Sequence, residues 1–251
     1  MSTDPLIRSI DPLATRAQLG RRGFANVAAH PLWQEAASRL DDRMTYIRAP
    51  EGERLDYGLA QFGQPITAAP GSLGMVVSVG LLAYLSDQRS TLAYWAKTLA
   101  PGGLLMFCTL GPDSFRPLAV ALGDHDQTRH APGYPDMHDL GDALVGLRLA
   151  NPVMDVEWLT LTYADPESAL VDLRLIGGNP MLGRPKGLRG RAWRQRVLEA
   201  LATLERNGRI EVPIELVFGH AWAVTPKTAS KDQAQAIQWF GKAPKDSGSG
   251  I

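Results

Sequence analysis

The sequence contains one cysteine, Cys108, among its 251 residues. A single thiol excludes an internal disulfide and a zinc site built from thiolates. An excess of charge is also missing, because Lys and Arg together number 26 and Asp and Glu together number 26. A chain without net charge has no long-range attraction for nucleic acid or for an anionic membrane. We therefore expect neither of them as a partner.

Long apolar runs are missing as well. No stretch reaches the roughly 18 consecutive apolar residues of a membrane-spanning helix, and the N-terminus has no apolar signal-peptide core. Hydrophobic residues make up 45% and charged residues 21% of the chain, which is ordinary for a globular domain. The length suits one large α/β domain with an appended subdomain. These features together favour a cytoplasmic protein.

Two apolar segments near the centre are typical of strands buried on both faces of a parallel sheet. They are Met75–Val79 and Leu104–Leu110. Between them Leu92 and Trp95 recur at helical spacing, after Ser86 as the expected helix cap. A strand, a helix and a strand within about 35 residues form a βαβ unit. This part of the chain therefore predicts the core of an α/β fold.

The spacing of apolar residues also predicts helices and strands in the rest of the chain. It predicts helices at 31–48, from 136, at 165–176 and at 189–206, and strands at 54–58, 153–163 and 210–222. Residues 1–30 show little periodicity and are predicted to form a loosely ordered N-terminal segment. Residues 225–251 are rich in Lys, Ser, Gly and Pro and are predicted to be a disordered tail. One domain is therefore expected at residues 31–224.

Several runs, taken in order, carry a family resemblance. Residues 99–110 look like the helix end, turn and fifth strand of class I methyltransferases, which identifies only that superfamily. More specific are the runs 113–115, 136–144, 151–155, 173–179, 188–193 and 217–222. Across about residues 75–222 this series resembles the malonyl-carrier-protein O-methyltransferases of biotin synthesis. The same stretch also resembles the mitochondrial complex I assembly factor that is built on this fold.

The resemblance implies a Rossmann-like fold, S-adenosylmethionine as the methyl donor, and a helical substrate lid at about residues 165–206. The family binds the cofactor with a first strand that ends in an acidic residue, a glycine-rich loop, and a second acidic residue after the next strand. The candidates that this chain offers are Asp56, Gly58, Gly63 and Ser78.

The cofactor region is too short for the complete family pattern. Only 11 residues, Gln64–Gly74, separate Gly63 from the next buried strand, whereas one βαβ unit takes about 30 residues. Leu59–Phe62 also places bulky side chains where the family has glycine. We therefore expect a shortened sheet that lacks strands 2 and 3 of the family, and a degenerate cofactor site.

The substrate that the resemblance implies is a malonyl group on an acyl-carrier protein, which would be the partner. Its carboxylate is ionised at pH 7, so it needs no general base, and an arginine is its natural clamp. The candidates are Arg174, Arg184 and Arg189, with Asn179 as a neutral donor and His138 as a residue that could orient the substrate. Each arginine could equally face solvent or pair with a nearby carboxylate, and His138 could be structural.

Two functions stay open at this point. One is methylation of a malonyl-type thioester with S-adenosylmethionine. The other is a catalytically silent relative that acts in binding, assembly or regulation, and a partner chain could also supply the missing strands. A metal site at Asp124–Asp126 is not favoured, because no further ligand stands at a convincing spacing.

Overall fold

A mixed, open sheet of six strands forms the centre of the protein. The structure is a computed structural model that describes residues 4–130, 132–176, 179–185, 187 and 190–225. The strands are Glu53–Asp56 (β1), Leu73–Val79 (β2), Leu99–Leu110 (β3), Leu149–Tyr163 (β4), Glu205–Arg206 (β5) and Arg209–Ala223 (β6). Their order is β1-β2-β3-β6-β4, with β5 paired to β6. The first three strands are parallel, whereas β6 runs antiparallel to its neighbours β3 and β4.

Helices cover both faces of this sheet. They are Pro12–Arg22 (α1), Phe24–Ala28 (α2), Pro31–Met44 (α3), Gln88–Thr98 (α4), Arg116–Ala121 (α5), Met137–Gly146 (α6), Pro166–Ile176 (α7) and Arg191–Ala202 (α8). One core cluster joins the sheet to α1, α3, α7 and α8, and the other joins it to α4 and α6. Within the ranges described above, every helix is too short or too polar to cross a membrane.

The two apolar segments predicted as central strands are β2 and β3. All side chains from Leu104 to Leu110 are buried, because both faces of β3 are covered. Met106 and Cys108 belong to the α3 side, while Leu105 and Phe107 belong to the α4 and α6 side. Burial raises the pKa of the Cys108 thiol, so this side chain serves packing and not nucleophilic chemistry.

The sheet ends at β1, which confirms the predicted loss of two edge strands. Between β1 and β2 the chain forms only a 3-10 turn at Leu59–Gln61 and an irregular return. The hydroxyl of Tyr94 on α4 donates to the Ile66 carbonyl at 2.9 Å, and Ile66 and Ala68 pack against the α4 and α6 cluster. This return segment therefore covers the apolar surface that a helix would otherwise have to cover.

The N-terminal segment has more structure than the sequence indicated. Residues predicted as loosely ordered form α1 and α2, and Asp11 begins α1 by accepting the N–H groups of Leu13 at 3.0 Å and Ala14 at 3.1 Å. In α1 only Thr15 and Leu19 are buried, so the apolar face is too narrow to give a helical period. Of the tail predicted as disordered, residues 226–251 lie outside the described residues.

A buried histidine ties α7 to the body of the protein. His30 Nδ1 accepts the Leu32 N–H at 3.1 Å and so caps α3. Its Nε2 then donates to Asp172 Oδ1 at 3.0 Å, and the Tyr163 hydroxyl donates to Asp172 Oδ2 at 2.7 Å. Because Asp172 lies on α7 and Tyr163 ends β4, one carboxylate joins three elements. This link fixes the first of the two helices predicted to form the lid.

A buried carboxylate, that of Glu215, holds the turn after β3. Glu215 is 6% exposed, its Oε2 accepts the Asp113 N–H at 2.8 Å, and its N–H donates to Ser114 Oγ at 3.0 Å. A Cβ at Gly111 would lie 2.3 Å from Glu215 Cδ, so only glycine fits there. Burial raises the pKa of Glu215, and the negative charges of the Asp113 and Asp136 side chains raise it further. The hydrogen bond from the Asp113 backbone N–H lowers it in part.

We expect Glu215→Gln to stabilise the fold at neutral pH, because burial and the charges of Asp113 and Asp136 disfavour the ionised carboxylate. Because the folded-state pKa is raised, the stability that Glu215 contributes is lost as pH rises through that pKa. Glutamine keeps the acceptor for the Asp113 N–H but carries no charge. Urea unfolding of both proteins between pH 4 and 7.5 measures the difference, which should widen as pH rises.

Glu211→Gln on the same strand is the matched control, because that side chain is less buried. It should change the free energy of unfolding little at any pH. A Glu215→Gln protein that is less stable than wild type across the whole range would contradict this account, because the charged form would then be the stabilising one.

Candidate functional site

A cavity of about 230 Å³ lies beside the carboxyl ends of β2 and β3. The 3-10 turn Leu81–Tyr84 follows β2, α5 follows β3 after a short turn, and α1, α7 and α8 complete the enclosure. The apolar lining consists of Leu19, Ala83, Tyr84, Phe115, Leu118, Leu122, Pro132, Tyr134, Leu170, Leu173, Ile176, Pro180, Trp193, Val197 and Leu201. The polar lining consists of Thr15, Gln18, His130, Arg174, Asn179 and Arg194. The carboxyl ends of parallel strands are the usual place for ligands in open α/β sheets.

Two tyrosines form part of the wall, Tyr84, which is buried, and Tyr134, which is partly buried. The hydroxyl of Tyr84 donates to the Ile176 carbonyl at the end of α7, and its ring meets Trp33 edge-on at 6.0 Å. Burial raises the pKa of Tyr84 well above its ordinary value and that of Tyr134 to about 12. Both phenols therefore stay protonated at neutral pH and can act only as hydrogen-bonding groups.

A buried arginine supports this wall from behind. Arg8 is 8% exposed; its Nε donates to the Gly133 carbonyl at 2.9 Å, and its Nη1 donates to the Ala83 carbonyl at 2.5 Å. Its guanidinium lies 4.6 Å from the centre of the Tyr134 ring, and burial lowers the pKa of Arg8. No pattern in the sequence indicates this role, since Arg8 stands in a polar segment without periodicity.

The loop from residue 123 to residue 135 is organised around Asp124. That carboxylate accepts the backbone N–H groups of Thr128 at 3.0 Å, Arg129 at 2.9 Å and His130 at 2.5 Å. Asn179 Nδ2 donates to the Arg129 carbonyl, which joins the loop to the chain after α7. Asp124 is thus a loop-forming residue, and among the described residues no group of three His, Cys, Asp or Glu side chains could hold a metal ion.

The predicted substrate residues do not all lie at the same site in the structure. Arg174 and Asn179 line the cavity. Arg184 does not, since its Nη2 binds Asp11 Oδ2 at 3.0 Å and its Nη1 binds the Met181 carbonyl at 2.8 Å. The side chain of His138 is 78% exposed and its Nδ1 lies 2.5 Å from Asp136 Oδ1 at the start of α6, on the opposite face of the sheet. Arg189 lies outside the described residues.

The predicted cofactor residues do not converge on one pocket. Asp56 pairs with Arg54 at 2.7 Å, and the Gly58 N–H donates to the side chain of Gln61 at 3.0 Å. Gly63 has a positive φ of 76° and belongs to the return segment. Ser78 is 1% exposed and shares its strand face with Val76, which packs towards α4 and α6.

The space after β2 is filled by the protein itself. Gly80 has a positive φ of 74°, and a Cβ there would lie 2.7 Å from the Trp33 ring and 2.9 Å from Leu59 Cδ1. The bulky turn at Leu59 therefore packs where a glycine-rich loop would leave room. The Gly58 N–H is also occupied by Gln61, so in the described residues this turn offers neither the free N–H nor the open space of a glycine-rich loop.

Two curated relatives are named malonyl-[acyl-carrier protein] O-methyltransferase. The protein of Laribacter hongkongensis is 40% identical over 184 residues, which are 72% of this chain and 62% of the relative. That of Gallionella capsiferriformans is 40% identical over 176 residues, 70% of this chain and 60% of the relative. The chain thus spans about three fifths of the length of these relatives. No family model matches the chain.

This chain covers a larger share of a third relative. Malonyl-[acyl-carrier protein] O-methyltransferase 1 of Coxiella burnetii is 32% identical over 218 residues, 85% of this chain and 74% of the relative. Among solved structures, phosphoethanolamine N-methyltransferase 2 of Haemonchus contortus has a TM-score of 0.43 and 10% identity, covering 85% of this chain and 57% of that one. Because that structural likeness is slight, the sequence relatives decide the assignment. The chain belongs to the malonyl-[acyl-carrier protein] O-methyltransferase family.

Proposed function

We propose that this chain binds the malonyl thioester of an acyl-carrier protein, the substrate that the names of its relatives give. The observation that carries the proposal is the cavity under α7 and α8, at the carboxyl ends of β2 and β3. Its volume of about 230 Å³ lies below the roughly 300–1,000 Å³ of pockets for drug-sized ligands. It suits a short acyl group and the adjoining part of its arm, and not a nucleoside-bearing cofactor.

The lining supports a thioester more than a free sugar or nucleotide. Its aliphatic and aromatic side chains exclude water, and few polar atoms face an occupant. Gln18 is one of the polar lining residues; its Nε2 donates to the Asn179 carbonyl at 2.9 Å, while its Oε1 is buried and has no hydrogen-bond partner in the described part of the chain.

Arg174 is the member of the predicted arginine set that supports binding of an anionic substrate. It is exposed, it lines the cavity, and the structure gives it no ion pair within the described ranges. Arg184 is taken by Asp11. We therefore keep Arg174 and Asn179 as substrate residues of the proposal, and assign Arg184 to holding the chain after α7 against the cap of α1.

The carrier protein would approach over α8. Arg191, Arg194 and Arg196 are exposed on this helix, with Arg194 lying 3.6 Å from Glu167 and Arg196 lying 5.5 Å from the Trp193 ring. Basic side chains at the edge of a binding site attract an acidic partner and speed its association. A cytoplasmic location and a link to biotin synthesis belong to the same proposal.

Binding of the thioester could lead to methyl transfer or could occur without any reaction. Family membership favours transfer of a methyl group from S-adenosylmethionine to the malonyl carboxylate, which is already a nucleophile at neutral pH. The filled space at Gly80 and the occupied Gly58 N–H favour a protein that binds the thioester without turnover. Since this turn offers neither the free N–H nor the open space of a glycine-rich loop, we derive no transfer step from it.

Calorimetric titration separates these candidates. We expect malonyl-pantetheine to bind, and we expect S-adenosylmethionine and its demethylated product to give no saturation at millimolar concentration. Leu173→Trp, which fills the cavity, should abolish thioester binding, whereas Val145→Trp on the exposed surface of α6 is the matched control. Micromolar binding of S-adenosylmethionine would instead establish the methyltransferase candidate, and absence of thioester binding would refute the proposal.

Substitution of Arg184 should lower the stability of the fold, whereas substitution of Arg174 should weaken ligand binding. Arg184→Ala removes contacts to Asp11 and to two backbone carbonyls, so we expect a lower midpoint of thermal unfolding. Arg174→Ala removes an exposed side chain, and we expect a change in unfolding free energy within about 0.5 kcal/mol but weaker binding of anionic thioesters. Calorimetric unfolding and ligand titration of both variants measure this contrast, which fails if Arg174→Ala proves the more destabilising.

A further inference from the structure

Three arginines stand together where the cavity meets the surface. Arg21 and Arg22 end α1, and Arg174 lies in the last turn of α7. Arg21 and Arg174 are exposed, and Arg22 is half-buried. Gln18 and Leu19, one turn before Arg22, line the cavity together with Arg174. The cluster of Arg21, Arg22 and Arg174, called here the arginine mouth, therefore borders the opening of the cavity.

The positive charges of the arginine mouth are not balanced by protein carboxylates. Burial lowers the pKa of Arg22, and the charges of Arg21 and Arg174 lower it further. Arg22 Nη1 donates to the Gln18 carbonyl at 2.6 Å, a backbone group without net charge. Across the described residues, none of the three forms an ion pair, whereas nearby Arg184 is paired with Asp11. Mutual repulsion without a counter-charge is unfavourable, and a bound anion would relieve it.

The position of the arginine mouth indicates which anion it binds. A malonyl group on a carrier protein is attached through a phosphopantetheine arm, so the ligand is anionic at both ends. The cavity of about 230 Å³ accepts the acyl end and the apolar part of the arm. The phosphate then remains outside the apolar lining, where water and guanidinium groups can satisfy it.

We propose that Arg22 and Arg174 bind the phosphate of the phosphopantetheine arm that presents the acyl group to the cavity. Two guanidinium groups on different helices can donate to separate phosphate oxygens, and arginine suits phosphate through its planar fork of donors. The C-terminal ends of α1 and α7 hold these side chains on regular elements and not on loops. The inference rests on the proposed thioester function and names the group that fixes the outer end of that ligand.

Direct titration tests the phosphate site without any need for turnover. The full-length protein is titrated with 4′-phosphopantetheine and, separately, with pantetheine, which differs only in lacking the phosphate. We expect the phosphorylated compound to bind at least about tenfold more tightly, a difference of ~1.4 kcal/mol. The preference should shrink as salt is raised, because the mouth is open to solvent.

Arg22→Gln and Arg174→Gln should each reduce the preference for the phosphorylated compound, measured as the ratio of the two affinities, several-fold. Arg174→Lys should restore part of it, since the charge returns without the fork. Arg209→Gln, an exposed arginine at the start of β6, is the matched control and should change neither affinity. Far-ultraviolet circular dichroism and the thermal midpoint verify that each variant is folded.

Coenzyme A, which carries the same arm on a pyrophosphate, distinguishes the source of the thioester. Tighter binding than that of 4′-phosphopantetheine assigns the mouth to coenzyme A thioesters, and equal or weaker binding assigns it to carrier-borne ones; both outcomes support the phosphate site. Equal affinities for pantetheine and 4′-phosphopantetheine would overturn the phosphate site while leaving the thioester function intact. Failure of both compounds to bind would overturn the phosphate site, and the titration with malonyl-pantetheine then decides the thioester function separately.

Discussion

The connection between β1 and β2 is too short to hold a further strand, and it forms a 3-10 turn and an irregular return, so the sheet stops at β1. The turn at Leu59 then packs against Gly80, which fills the space directly after β2. The opposite half of the sheet is untouched by this shortening, and β3, β6 and β4 still position α7 and α8 over a cavity.

Much of the fold could be predicted because buried positions are occupied by apolar residues, whose spacing can be read in the sequence. The segments Met75–Val79 of β2 and Leu104–Leu110 of β3 are apolar apart from Ser78 and Thr109. The alternation in β6 arises because Ile210, Val212, Ile214, Leu216 and Phe218 share the face that packs towards α3, α7 and α8. The length between Gly63 and Met75 was enough to predict the missing strands. Helix α1 escaped prediction because only Thr15 and Leu19 are buried in it, and a face that narrow leaves no period among arginines.

The site was less predictable, because spacing along the chain does not reveal which charges meet in space. Arg174 and Arg184 look equivalent in the sequence, yet Asp11, far away in the chain, pairs with only one of them. Arg8 and Arg22 come from a segment expected to lack order, and both lie beside Tyr84, whose phenol experiences their charges. Whether an arginine is structural or free to bind a ligand is therefore decided by tertiary contacts.

The burial of Cys108 has a practical consequence. This side chain lies near the C-terminal end of β3, is fully buried, and belongs to the only cysteine in the sequence. Fraying of α7 and α8 alone would not bring it to solvent, because α3 and the neighbouring strands still cover it. A thiol reagent reaches it when α3 leaves the sheet or the central strands separate, so the rate of its labelling reports opening of the core and not local motion of the lid.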